Sequence, residues 1–156
     1  MKKTSIAIRF AKLLNGGGHI LVDLKINEKK ANILIDTGAS STVLDASRLE
    51  RFVPDAKLKE LNKLSTGLGT SSMQGHSILI NEMELGVLKI TSFTTTVLDL
   101  SNVNASYKMM KLKPIDGVLG GDILNKYKAV IDYRKKILML EVPVTPAKRK
   151  PTPGRK

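Results

Sequence analysis

The chain has 156 residues, of which 42% are hydrophobic and 26% charged, and this length fits one soluble domain with an ordinary core. It contains no cysteine, which excludes a disulfide framework, a thiolate nucleophile and a cysteine-based metal site. The net charge of +12 is typical of nucleic-acid binders, but the three Phe and three Tyr are not interleaved with basic residues as a stacking platform requires, so we expect no specific nucleic-acid partner.

The two ends of the chain differ from its middle. Residues 1–17 form a predicted N-terminal extension, in which Arg9 and Lys12 interrupt any apolar run that a signal peptide or membrane anchor needs. Residues 143–156 form a basic, Pro-rich tail that we expect to be disordered; without its five positive charges the chain still carries about +7. We therefore expect one domain at 18–142, a cytoplasmic location and no membrane partner.

Short strands dominate the first part of the predicted domain. Ile20–Ile26 alternates apolar and polar residues and is predicted to pair, through a tight turn, with the apolar run Ala31–Ile35. Another short strand is predicted at Ser41–Leu44. Asp45 then has the position of a cap for a brief helical turn.

The middle of the domain is predicted to be an antiparallel meander. Its apolar pieces are Ser77–Ile80, Met83–Leu85, Val87–Ile90 and Phe93–Leu98. The preceding segment Gly67–Gly75 has three glycines and three hydroxyl residues in nine positions, which a core strand cannot accommodate. It is predicted to be a mobile hairpin tip.

The last part of the domain begins with an expected loop at Ser101–Pro114. A strand at Gly117–Leu119 then leads to Gly120, and Asp122 is predicted to be the N-cap of one short helix. Two further strands, joined by a tight turn, complete the predicted elements: Ala129–Tyr133 and Lys136–Glu141.

One acidic residue has an unusual position. Asp36 directly follows the apolar triplet Ile33–Ile35 and precedes Thr37 and Gly38. A carboxylate there is partly desolvated unless neighbouring groups donate hydrogen bonds to it. Gly38 can take a positive φ and lets backbone amides approach the acid, while the Thr37 hydroxyl can lock the turn. The tripeptide alone is also a common turn, so its context must decide between a structural and a chemical role.

Three segments in this order resemble the retropepsin-like aspartic proteases of bacterial type, the single-lobe relatives of pepsin. They are LIDTGASSTVL, the segment Gly67–Gly75, and GVLGGDIL. The resemblance covers about residues 20–140 and implies a mainly β, closed, barrel-like fold with one short C-terminal helix. Because the chain has one Asp–Thr–Gly, and Asp116–Gly117 is a poor second copy, the active site would be completed by a homodimer.

The resemblance also implies roles for individual residues. Asp36, Thr37 and Gly38 would be catalytic: two Asp36 carboxyls would share a proton and activate a water, without a cofactor, a metal or a covalent intermediate. A flap would close over a protein or peptide substrate through Gly67, Leu68, Gly69, Thr70, Ser71 and Met73. Structural support would come from Ala39, Ser40, Gly120 and Asp122.

Other interpretations compete with this one. His19 and His76 are far apart in the sequence and have no acidic companions at ligand spacing, so no metal site is expected. The main rival function is a catalytically silent retropepsin-like module for dimerisation or peptide binding, and a third is a basic nucleic-acid-associated protein tethered by its tail. The intact motif at Asp36 favours the endopeptidase, because a scaffold has little reason to keep an apposed acid pair.

Overall fold

The computed structural model describes residues 2–56, 58–60 and 75–144. Ten strands lie in these ranges: β1 (Lys2–Lys12), β2 (Gly18–Ile26), β3 (Lys29–Ile35), β4 (Val43–Asp45), β5 (Lys59–Glu60), β6 (His76–Leu85), β7 (Leu88–Leu98), β8 (Gly117–Leu119), β9 (Val130–Asp132) and β10 (Ile137–Val142). The helices described are a 3₁₀ helix (Ala46–Arg51), α1 (Ser101–Met109) and α2 (Gly121–Lys126). None of these helices has the length and apolar character needed to cross a bilayer.

Six of the strands close into a barrel. Their order is β6, β7, β4, β8, β3 and β2, and β6 closes the ring by pairing with β2, where Ile26 lies opposite Met83. The β2–β3 and β6–β7 pairs are antiparallel hairpins, whereas β3 runs parallel to β8 and β4 runs parallel to β7. The expectation of a mainly β, closed, barrel-like fold is confirmed.

The first strand joins the barrel to a smaller ribbon. Its N-terminal half pairs with β10, with Lys2 opposite Val142, and its C-terminal half pairs with β2, with Lys12 opposite Gly18. β10 pairs in turn with β9, the last strand at that end of the sheet. Much of the predicted extension at 1–17 is therefore a strand of the sheet. Ile8 packs in the main core, whereas Ala11, three residues further on, lies on the opposite face of the strand and packs in a separate apolar cluster.

The meander has fewer and longer strands than predicted. The two pieces ending at Ile80 and Leu85 form one strand, β6, and the next two form most of β7. The polar residues between the pieces, Asn81–Glu82 and Thr91–Ser92, are exposed or half-buried positions within the two strands, and their polarity resembles a turn signal in the sequence. The actual turn is at Gly86, whose φ is +61° and where an added Cβ would overlap the Thr4 hydroxyl.

The segment Ser101–Pro114 contains a helix, so its prediction as a loop is wrong. Asn and Ser, which are poor helix formers, are common in α1, and the helix is stabilised by contacts with other elements. The Asn104 side chain donates to the carbonyl and accepts from the amide of Ile115, at 3.1 and 2.8 Å. The helix covers a second, smaller apolar cluster: Ala11, Leu21, Leu34, Tyr107 and Ile115.

The last part of strand β3 is buried on both faces, which explains the apolar triplet Ile33–Ile35. Ile33 and Ile35 enter the barrel core, while Leu34 packs in the cluster under α1. The next residue, Asp36, is exposed. The acid therefore stands at the point where burial of the strand ends.

Candidate active site

The loop after β3, called here the Asp36 loop (residues 36–41), begins beside the end of β8. The Asp36 amide donates to the Leu119 carbonyl at 3.0 Å, which continues the parallel pairing of the two strands. Its carboxylate oxygen Oδ1 accepts from the Gly38 amide at 2.9 Å, and its carbonyl accepts from the Ala39 amide at 3.2 Å. The carboxylate is thus held by its own turn at the surface of the single chain.

Gly38 serves the loop through its small size. Gly38 does not have a positive φ, so the expectation of a positive φ at this position is wrong. The turn closes through the amide of Gly38 and the side chain of Asp36, and such an Asx-turn needs no left-handed residue. A Cβ added to Gly38 would lie 3.3 Å from Asp36 Oδ1, so the close approach of amide and carboxylate leaves little room.

A second glycine corner, at the end of β8, lies against the Asp36 loop. The Gly121 amide donates to the Ala39 carbonyl at 2.7 Å. Gly120 has no room for a side chain, because an added Cβ would be 2.6 Å from the Ser41 carbonyl and 2.9 Å from the Ala39 carbonyl oxygen. The two strand-to-glycine corners, loosely alike in sequence, are therefore packed backbone to backbone.

Asp122 holds the Asp36 loop onto α2. The N-cap of α2 is Gly120, so the prediction of Asp122 as the N-cap is wrong; Asp122 lies in the first turn, where its carboxylate binds another element. Its Oδ1 accepts from the Thr42 amide at 3.0 Å, the Thr42 hydroxyl at 2.7 Å and the Ile123 amide at 2.8 Å. Its own amide donates to the Ser40 carbonyl at 3.1 Å.

Thr42 is a residue of the site that the sequence analysis missed. It is buried, and its hydroxyl donates to Asp122 and accepts from the Gly120 amide at 3.0 Å. Its carbonyl accepts from the Thr95 hydroxyl at 3.0 Å, which ties the loop to β7. The signal in the sequence is a hydroxyl residue directly before the apolar pair Val43–Leu44.

Thr37 lines a surface cavity of ≈ 580 Å³. The other lining residues are Gly121, Leu124, Asn125, Lys128, Ala129 and Ile131. They come from α2, from β9 and from the connection between them. Next to the cavity, Val130 and Tyr133 are exposed at and just after β9. The Asp36 loop and the edge strand β9 therefore lie on the same face of the molecule.

Several expectations concern residues outside the described ranges. The expected flap residues are among them: Gly67, Leu68, Gly69, Thr70, Ser71 and Met73. Most of the expected disordered tail, from 145 to 156, lies outside as well. Of the two histidines, His19 shares a hydrogen bond of 2.7 Å between its Nδ1 and the Tyr107 hydroxyl. Within the described residues, no group of three or more His, Cys, Asp or Glu could hold a metal ion.

Comparison with known families agrees with this geometry. A model of the aspartyl protease family matches residues 22–123, a span that includes the Asp36 loop, the Gly120 corner and Asp122. The chain belongs to the aspartyl protease family.

Two curated proteins that are similar in sequence to the chain are both called DNA damage-inducible protein 1. The one from Neurospora crassa is 27% identical over 132 residues, and the one from Chaetomium globosum is 26% identical over 134 residues. Each alignment covers 81% of this chain and 26% of the relative. The chain thus spans about a quarter of the length of these relatives.

Solved structures show which branch of aspartyl proteases the fold follows. A retropepsin-like aspartic protease from Rickettsia conorii has a TM-score of 0.53 at 19% identity, covering 90% of this chain and 91% of that one. The retroviral protease-like domain of Ddi1 from Leishmania major has a TM-score of 0.52 at 18% identity, covering 83% and 96%. The fold is that of the retropepsin-like aspartic proteases.

An aspartyl protease needs a second acid, and Asp116 does not provide it. The Asp116 side chain is buried, and its Oδ1 accepts from Arg48 Nε and, at 3.1 Å, from Arg51 Nη1. Its Oδ2 accepts from the Asn32 amide at 2.8 Å. Asp116 is therefore a buried acid that forms ion pairs with two partly exposed arginines and joins the residue before β8 to β3 and to the 3₁₀ helix.

Proposed function

We propose that the chain is an aspartic endopeptidase that hydrolyses peptide bonds with two Asp36 carboxyls, one from each subunit of a homodimer. The observation that carries the proposal is the position of Asp36, exposed on a hydrogen-bonded loop in the single Asp–Thr–Gly of the sequence. No other acidic residue of the described ranges hydrogen-bonds to it. Activation of a water by carboxyls alone needs one ionised and one protonated partner, so the second partner comes from a second copy.

The orientation of the Asp36 carboxylate suits this chemistry. Oδ1 is occupied by the Gly38 amide, which leaves Oδ2 as the atom that meets the water. Two such carboxyls a few ångströms apart cannot both ionise, so one proton is shared. The ionised carboxyl takes a proton from the water as it attacks the peptide carbonyl. The protonated carboxyl gives its proton to the carbonyl oxygen, so that a neutral tetrahedral diol forms. The carboxyl that took the water proton then passes it to the leaving nitrogen, while the other carboxyl recovers a proton from a diol hydroxyl as the C–N bond breaks.

The surface around Thr37 is where we place the second subunit of the proposed homodimer. β9 pairs on one side with β10 and is the last strand at its end of the sheet, so its other edge can accept a strand. Exposed Val130 and Tyr133 add apolar area there. A two-fold axis between two Asp36 loops would set the two β9 edges antiparallel and put each Thr37 against the partner loop. A module that dimerises in this way without hydrolysis is the alternative function.

Incubation with an unfolded protein substrate, from acidic to neutral pH, tests the proposal. The wild-type chain should cleave it, and Asp36→Asn should lower the rate by about a hundredfold or more. Asp99→Asn is the matched control, because Asp99 is an exposed acid that hydrogen-bonds to Ser101 on another element. Undiminished cleavage by Asp36→Asn contradicts the mechanism. A stable dimer that cleaves nothing at any pH supports the silent module.

A mixing experiment tests whether the site is shared between subunits. Excess Asp36→Asn chain, added to wild type, should suppress cleavage, because most wild-type subunits would then occupy dimers with one intact carboxyl. The same excess of a chain that carries Asp36→Asn and cannot dimerise should leave the rate unchanged. Equal rates in both mixtures would show that each wild-type chain carries a complete site.

A further inference from the structure

A second cavity, the α1 cavity, lies at the C-terminal end of α1 and has a volume of ≈ 500 Å³. Its lining residues are Asn104, Lys108, Lys111, Leu112, Lys113 and Pro114. It is separate from the cavity at Thr37, with which it shares no lining residue. Nothing in the proposed peptidase mechanism uses it.

The rim of the α1 cavity is basic. Lys108, Lys111 and Lys113 are exposed, and none of them forms an ion pair with another described residue. By contrast, Lys89 pairs with Glu84 at 3.2 Å. The sequence has no Asp or Glu from residue 100 to 115. A lysine in the last turn of a helix is favoured by the helix dipole, which accounts for Lys108 but not for the other two, since they lie beyond the helix.

The floor of the α1 cavity is apolar. Leu112 and Pro114 are half-buried lining residues. Asn104, the other neutral polar residue of the lining, already uses its amide oxygen and nitrogen for Ile115 and Asp45. Recognition of a ligand there therefore falls to an apolar floor and three ammonium groups.

We infer that the α1 cavity binds acidic peptide segments, with an apolar side chain on the Leu112 floor and neighbouring carboxylates on the three lysines. Charge complementarity selects an acidic partner, and the apolar floor selects a peptide. Single-stranded nucleic acid would need aromatic stacking surfaces, and the lining has none. The tail at residues 143–156 is itself basic, so it is not the segment that the α1 cavity binds.

The position of the cavity indicates what such binding does. Pro114 precedes β8, whereas Asp36 lies beside Leu119 at the other end of that strand. At about 3.3 Å per extended residue, the five steps from Pro114 to Leu119 separate the two sites by at most roughly 17 Å along the chain. A segment bound there would raise the local concentration of the attached chain near Asp36 without touching the scissile bond. The role as a substrate dock rests on the proposed peptidase function, while the binding itself does not.

Fluorescence anisotropy with a labelled peptide of six Glu around a central Leu tests the binding, using the full chain with Asp36→Asn so that cleavage cannot interfere. Lys108→Glu, Lys111→Glu and Lys113→Glu together should weaken binding about tenfold or more. The matched control reverses three exposed lysines of β1 (Lys2→Glu, Lys3→Glu and Lys12→Glu) and should stay within about twofold. Lys111→Asn should weaken binding while keeping the fold, because Lys111 has φ +56° and Asn tolerates that angle.

Three results would overturn the inference. One is equal weakening by the two triple variants, which would indicate a general charge effect. Another is unchanged affinity when Ser replaces Leu in the probe, since the floor would then have no role. The third is that a labelled oligothymidine of equal charge binds more tightly than the acidic peptide, and that charge reversal at Lys108, Lys111 and Lys113 abolishes this binding.

Cleavage assays separate this inference from the proposed function. With Asp36 intact, an acidic tag on a peptide substrate should lower KM, and the triple reversal at the α1 cavity should remove that gain without changing kcat. Cleavage without any effect of the tag would contradict the dock and leave the peptidase standing. Probe binding without cleavage of any substrate would keep the binding site and contradict the peptidase.

Discussion

Thr42 donates two hydrogen bonds to one oxygen of Asp122, from its amide at 3.0 Å and from its hydroxyl at 2.7 Å. The two residues are 80 positions apart in the sequence. Because Thr42 follows the Asp36 loop and Asp122 lies in α2, this pair fixes the loop against the helix. The orientation of Asp36 therefore depends on a contact that no short segment of the sequence contains.

Removing either side of this pair should destabilise the fold. Thr42→Val leaves the Gly120 amide without its acceptor, and Asp122→Ala leaves buried Thr42 donors without theirs, so each should cost about 1–3 kcal/mol. The double variant should lose less than the sum, with a coupling of about 1 kcal/mol. Urea denaturation measures these differences. Thr91→Val, at an exposed site on β7, is the control, and strict additivity would contradict the coupling.

Gly120→Ala should displace the Asp36 loop, because its Cβ would meet the Ser41 carbonyl at 2.6 Å and backbone there cannot move without the loop. We expect a loss of peptidase activity of about a hundredfold or more. Gly121→Ala is the matched control, since its Cβ would lie 3.4 Å from the Ala39 carbonyl oxygen, an ordinary contact. Activity assays on both variants check this. Similar activities would show that the corner can relax.

Asp116→Ala should destabilise the fold by about 1–3 kcal/mol, because Arg48 and the Asn32 amide lose the buried carboxylate that accepts their hydrogen bonds. Arg51→Met should cost less than about 1 kcal/mol, since the Arg51 side chain is 51% exposed while that of Arg48 is 26% exposed. Arg48→Met should fall between the two. Denaturant titration gives the order, and a larger effect of Arg51 than of Arg48 would contradict this account.

The elements that could be predicted from the sequence are those whose formation depends on residues close together in the chain. The hairpin before Asp36 follows from strand alternation, and the strand before Gly120 follows from a short apolar run bounded by glycine. α1 was not predicted, because its Asn and Ser residues disfavour a helix until Asn104 meets Ile115 and Tyr107 is buried. The N-cap of α2 was misplaced for a similar reason: the Asp122 carboxylate binds a distant threonine.

Val130→Lys should weaken the proposed homodimer. Each of the two paired β9 edges would then carry an added positive charge in place of an apolar side chain, so the dimer dissociation constant should rise about tenfold or more and activity at low concentration should fall. Leu79→Lys is the matched control, since Leu79 is 54% exposed and Val130 52% exposed. Analytical ultracentrifugation measures both. Thermal unfolding of each monomer should change little, and equal dissociation by the two variants would contradict β9 as the interface.

Tyr107→Phe should change the alkaline stability of the fold. Burial raises the pKa of the Tyr107 hydroxyl above its ordinary value of 10.0. The folded state thus favours the neutral form of Tyr107. Its contribution to the free energy of unfolding is complete below about pH 10 and is lost as the pH rises through the raised pKa. The variant should show a shallower fall in unfolding free energy above about pH 10, although it costs about 1 kcal/mol at neutral pH because His19 loses its partner. Denaturant titrations across this range check the slope, and parallel profiles would contradict it.

The double pairing of β1 connects the beginning of the chain to the ribbon that carries the proposed dimer edge. A cut after Ala7 would remove every residue that pairs with β10 and keep those from Ile8 onward that pair with β2. The six barrel strands would retain their neighbours, while β9 and β10 would retain only each other as strand partners, and a lone two-stranded ribbon is marginal in water. Because Leu138 and Leu140 of β10 are fully buried in the main core, trimming these seven residues would loosen both the core and the β9 edge that the proposed homodimer uses.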